Sequence, residues 1–207
     1  MELNRPLSTV TPTLDGDVLA VLARVDTTFT AGQLRRVLTR HSEEGIRKVL
    51  QRLAKQGVLL VEKAGNALVY RFNHDHLAAE HIIGLSRLMD TLLTRFEQRL
   101  AIWEVRPVYA AVFGSAARGT MTPESDVDLL LVRPDGADGD RWEAQVVLLT
   151  SDVGRWTGND LRPLEFTATE LAARARSEPV LRDVLDEGLT VAGTRSWLAK
   201  HLRKTKD

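Results

Sequence analysis

No cysteine occurs in the 207 residues, which excludes disulfides, thiolate zinc sites and a cysteine nucleophile. No apolar run approaches the ~20 residues needed to cross a bilayer. The opening MELNRPLSTVTPTLDGD lacks the basic-then-apolar layout of a secretory signal. Cytoplasmic is therefore the expected location, with no membrane partner. Repeats and low-complexity segments are missing too. Net charge is also absent, with 28 Lys and Arg against 28 Asp and Glu, and that balance argues neither for nor against nucleic acid. Residues 30–57 nevertheless hold Arg35, Arg36, Arg40, Arg47, Lys48, Arg52 and Lys55 against Glu43 and Glu44, whereas residues 134–190 lean acidic. A basic N-terminal third and an acidic C-terminal half suggest two jobs.

With 43% hydrophobic and 27% charged residues, the chain reads as globular, and its length permits one or two domains. Pro6 and Pro12 lie in a loose lead-in. Thr13 or Asp15 can cap a helix carrying Leu14, Val18, Leu22 and Val25 on one face. Thr30 caps a second helix and Ser42 a third, which stops at Gly57. VLLVEK and ALVYRF, either side of Ala64-Gly65-Asn66, predict a hairpin. From Asp75 to Glu104 the stripe Ile82, Leu85, Met89, Leu92, Phe96 and Trp103 predicts one long connecting helix, ended by Pro107. The expected boundaries are 1–75, 76–106 and 107–207.

After Pro107 the pattern becomes strand, turn, helix, strand. VYAAVF runs into Gly114-Ser115, and after ten intervening residues Asp126-Val127-Asp128 opens the apolar run LLLV. Side chains two apart on a strand share a face, so Asp126 and Asp128 look the same way from Cα atoms about 6.6 Å apart. Paired carboxylates of this kind can hold the divalent ions of a phosphoryl-transfer site, and a cation relieves their mutual repulsion. A strand that ends in Gly-Ser and turns into a helix offers backbone N–H groups to an anion. Gly114 allows close approach, Arg118 lies a turn further on, and Gly119 lets the chain turn away. Later segments predict a helix over 141–158, a strand LRPLEFTA, a helical stretch 169–193 broken near Pro179, and a basic tail 195–207 containing Trp197.

Residues 108–132, VYAAVFGSAARGTMTPESDVDLLLV, resemble the signature of the DNA polymerase beta-like nucleotidyltransferase superfamily, in particular its minimal branch. Phe113, Gly114, Ser115, Ala117, Arg118, Gly119, Ser125, Asp126, Asp128 and Leu129 meet that pattern. The resemblance implies an α/β (α+β) fold with a small mixed sheet, and Mg²⁺ or Mn²⁺ held by Asp126 and Asp128. It also implies ATP or another nucleoside triphosphate lying on Gly114 and Ser115, with Arg118 and Ser125 as further nucleotide ligands. The family has a third carboxylate on a later strand that serves catalysis and the metals. Glu165 is the candidate here, with Asp160 as competitor and an outward-facing strand residue as the alternative for Glu165. The implied reaction moves a nucleotide, AMP first among candidates, to a hydroxyl of a protein or small molecule. Relatives act as antitoxins on a partner toxin. The alternative is a transcriptional regulator that senses nucleotide without turnover.

Residues 14–72 resemble a MarR-like winged helix-turn-helix. The resemblance implies a recognition helix at 42–56 presenting Ser42, Arg47, Lys48 and Arg52 to double-stranded DNA, and a wing with Lys63 and Asn66 near its tip. The alternative is the same fold used only for protein contacts. The connecting stripe either packs on its own domains or pairs two copies as a homodimer. His74, His76 and His81 lack companion ligands at zinc spacing and read as a solvated helix start.

Overall fold

The computed structural model describes residues 1–175 and 177–203. Lys204 and Lys206 of the expected basic tail lie outside the described residues. The chain divides into two compact units. One is formed by Glu2 and Asn4–Leu88, the other by Met1, Leu3 and Met89 onward.

In the first unit a single 3-10 turn, Pro6–Thr9, precedes α1 (Leu14–Leu22), α2 (Ala31–Val37) and α3 (Glu43–Lys55). Thr30 starts α2 with a capping box, accepting from the Gln33 N–H while Gln33 accepts from the Thr30 N–H. Ser42 caps α3 by accepting from the Gly45 N–H at 3.1 Å. Val18, Leu22, Leu34, Ile46 and Leu50 are fully buried and bind the three helices into one core. Strands β1 (Leu59–Ala64) and β2 (Ala67–Phe72) pair antiparallel around Gly65-Asn66. Gly65 has φ +60°, the left-handed first turn position that favours glycine in a two-residue hairpin. Leu59, Tyr70 and Phe72 anchor the hairpin in the same core. Phe29 adds an isolated antiparallel bridge to Tyr70.

The predicted continuous helix over 75–104 is two helices, α4 (Ala79–Ser86) and α5 (Leu88–Ala101). Arg87 between them leaves helical geometry at φ −108°, ψ 24°. The buried Ser86 hydroxyl donates to the Ile83 carbonyl at 2.8 Å, and the Ser86 carbonyl accepts the Arg24 guanidinium at 2.6 Å. That carbonyl is spent on a side chain, which is a physical cause of the break.

The second unit holds a four-stranded mixed sheet in the order β5-β4-β3-β6, built from β3 (Tyr109–Phe113), β4 (Val127–Arg133), β5 (Leu161–Thr167) and β6 (Leu189–Ala192). β3 runs antiparallel to β4 and β6, and β4 runs parallel to β5. The parallel pair is joined by α7 (Gly139–Thr157), capped by the Asp138 carboxylate. Leu130, Val132, Tyr109, Ala111 and Phe166 bury one sheet face against α8 (Ala168–Arg174), α9 (Val180–Glu187) and α10 (Arg195–Arg203). The stretch 169–193, expected to be helical, therefore ends in β6, a four-residue edge strand. Its flanking Gly188 and Gly193 were the signal. Among the described residues no helix is long and apolar enough to cross a membrane.

Candidate functional site

β3 ends at Phe113, whose strand partner across the sheet is Asp128. The five-residue helix α6 (Gly114–Arg118) begins at once. Gly114 has φ +68°, and a Cβ there would collide with the Asp128 carboxylate. Glycine is required twice over at this position, by backbone conformation and by the carboxylate over it. Gly119 closes α6 in the left-handed conformation at φ 67°. The Gly-Ser turn and the Asp-x-Asp strand thus meet at one end of the sheet, as their spacing predicts.

Asp126 immediately precedes β4, and its side chain is 34% exposed. Asp128 lies on the same face by strand alternation. Burial pushes the Asp128 carboxyl above its ordinary value, Arg162 opposes this, Asp126 adds to it, and Arg118 opposes it again. Arg118 lies near enough to act on Asp128 while donating to Glu187 at 3.3 Å. Two hard carboxylate donors on one face, one of them penalised by burial, are a donor set that fits a divalent cation such as Mg²⁺ or Mn²⁺.

Glu165 does not join them. In the parallel register Asp128 pairs with Arg162 and Leu131 pairs with Glu165. Paired residues share a face, so Glu165 lies on the opposite face, three strand positions away from Asp128. There it accepts the Trp142 indole N–H at 2.5 Å, held by α7. Glu165, expected as the third metal-bound carboxylate, is therefore not placed with Asp126 and Asp128 in this structure. Asp160 is exposed, and its carbonyl accepts the Val127 N–H at 2.8 Å. Among the described residues no group of three or more Asp, Glu or His side chains is placed to hold a metal ion. The residue that does stand beside Asp128 on β5 is Arg162, whose Nε lies 3.2 Å from Asp126 Oδ2.

Ser125, expected on the nucleotide, has its hydroxyl inside the loop, accepting the Thr122 N–H at 2.9 Å. Asn159 is only 4% exposed. Its side-chain amide donates to the carbonyls of Pro123 at 3.1 Å and Ser125 at 2.8 Å. Asn159 therefore fixes the loop that delivers Asp126. Its signal was faint, since an Asn after Gly158 reads first as turn chemistry.

In the first unit, Arg47, Lys48 and Arg52 of α3 are exposed but paired. Arg47 reaches Glu43 at 2.8 Å, Lys48 reaches Glu44 at 2.9 Å, and Arg52 bonds Asp15 of α1. Lys63 lies on β1 and Asn66 in the hairpin turn, both exposed.

Residues 89–166 match the family model described as a nucleotidyltransferase domain. No curated protein matches the chain. Solved structures with detectable similarity include a toxin–antitoxin crystallised with AMP-PNP, 20% identical over 55% of this chain and 82% of that one, TM-score 0.39. A tri-AMPylated Shewanella oneidensis HEPN toxin in complex with MNT antitoxin is 15% identical over 57% and 84%, TM-score 0.34. The archaeal chromatin protein TrmBL2 is 16% identical over 88% and 76%, TM-score 0.31.

Proposed function

We propose that residues 107–207 form a nucleotidyltransferase domain that binds a nucleoside triphosphate with Mg²⁺ or Mn²⁺ and transfers its nucleotidyl group, AMP in the first instance, to a hydroxyl. The observation that carries this is the seating of Gly114 against Asp128, which joins an open backbone turn to a metal-binding carboxylate pair. Asp126 and Asp128 would hold the cation, whose charge would offset the negative charge developing on the phosphate in transfer. Gly114 lets the triphosphate lie against the backbone, the Ser115 hydroxyl is a donor to it, and Arg118 offers a guanidinium from the end of α6. Asn159 keeps the Asp126 loop in place. The acceptor hydroxyl attacks the α-phosphate and pyrophosphate leaves, while the hydroxyl proton passes to water or to a group of the acceptor, because Glu165 faces away.

The acceptor class that fits is a protein hydroxyl, as on a partner toxin, or a small molecule. Incubation with α-labelled ATP, Mg²⁺ and cell extract should label an acceptor, and Asp126→Ala with Asp128→Ala should abolish the label. The second reading, nucleotide sensing without turnover, is favoured by the Arg162–Asp126 pair. Mg²⁺-dependent nucleotide binding with no labelled acceptor would select it. Under either reading we infer that residues 1–75 form a winged helix-turn-helix that binds double-stranded DNA through Ser42, Arg47, Lys48, Arg52, Lys63 and Asn66. The support is the order of three helices and a hairpin, with exposed basic residues on α3. Pairing of two copies on adjacent half-sites belongs to the same proposal.

A further inference from the structure

β5 brings an arginine to the place where its register with β4 would let a carboxylate complete a set of three. Arg162 is the strand partner of Asp128 and lies 3.2 Å from Asp126. Its side chain is 72% exposed and that of Asp126 is 34% exposed. An exposed pair of this kind contributes little to folding stability. Its consequence is local charge. With Arg162 in place, one of the two site carboxylates is already neutralised. Arg118 acts on the other as a second positive charge. A site that holds two divalent ions needs a surplus of negative oxygen ligands, and here that surplus is cancelled from within the chain. Phosphate oxygens, by contrast, gain two guanidinium donors, which are well matched to them.

Resting on the nucleotide-binding reading above, we propose that Arg162 takes the place of a second divalent cation. The site then binds a nucleoside triphosphate with a single metal ion, and Arg162 moves from Asp126 to the phosphates as they arrive. Arg162 is a nucleotide-positioning residue and also sets the metal stoichiometry. Glu165 cannot supply the missing charge from the other face of the sheet.

The test is a Mn²⁺ titration followed by electron paramagnetic resonance, using the full chain and a saturating non-hydrolysable ATP analogue. Binding of the analogue is measured in parallel by equilibrium dialysis, with and without EDTA. The wild type should hold one Mn²⁺ per chain. Arg162→Asp should hold two. Arg162→Gln should hold one and should bind the analogue in EDTA at least tenfold more weakly than the wild type. Circular dichroism should show both variants folded, as expected for a residue this exposed. Two tightly held Mn²⁺ ions in the wild type would overturn the proposal and leave nucleotide binding intact. So would an Arg162→Gln variant with unchanged affinity in EDTA. If the wild type retained no analogue with or without Mn²⁺, the nucleotide-binding reading itself would fall, and this proposal with it.

Discussion

Gly114 and Asn159 act on the site without being its charged groups. Any side chain at Gly114 meets the Asp128 carboxylate, and the φ of +68° penalises it further. Gly114→Ala should lower nucleotide affinity at least tenfold by calorimetry and destabilise the fold by about 1–3 kcal/mol, the usual cost of such strain. Loss of affinity larger than the loss of stability would separate the two effects. Asn159→Ala leaves two carbonyls of the Asp126 loop without their donor. It should cost about 1 kcal/mol in a urea titration, the usual net worth of hydrogen bonds lost where water can reach the acceptors. An unchanged midpoint would contradict the role given to Asn159.

The elements explain both what the sequence revealed and what it hid. Gly-Ser and Asp-x-Asp are local patterns, and each dictates its geometry within a few residues, so the meeting of Gly114 with Asp128 could be read directly. The placing of Glu165 depended on which face of β5 lies beside Asp128. That is a matter of register against β4, and a one-residue slip exchanges the faces. An acid in an apolar strand gives no such information, and its partner Trp142 lies 23 residues away. Arg162 was invisible for the same reason. Likewise the stripe over 75–104 is genuine, but the break at Arg87 comes from the long-range bond between Arg24 and the Ser86 carbonyl. α1 shows how such tertiary links carry pH sensitivity. Burial works to raise the Asp17 carboxyl, but bonds from Arg5 and His41 outweigh it and hold the carboxyl below its ordinary value. A depressed carboxylate stabilises the fold above its unfolded pKa of about 3.9 and loses that contribution as pH falls through the folded value. Thermal melts below about pH 4 should therefore drop more steeply in the wild type than in Asp17→Asn, and equal slopes would contradict the link.

At the scale of the whole molecule, an evenly balanced net charge conceals a basic helical unit and an acidic unit built on a mixed sheet. If the first binds duplex DNA, a gel-shift series across salt should show a steep loss of affinity. Arg47→Ala should weaken binding and reduce the salt slope by about one, as loss of a single phosphate contact does. A slope unchanged in Arg47→Ala would remove that residue from the interface. Nucleotide and metal binding are both proposed for the carboxylate pair above Gly114. The most direct test is isothermal titration of the full chain with a non-hydrolysable ATP analogue in Mg²⁺, comparing wild type with the Asp126→Ala, Asp128→Ala variant. Saturable binding at one site per chain, lost in the variant, is the expected result. Absence of binding in the wild type, or equal binding in both proteins, would contradict the account.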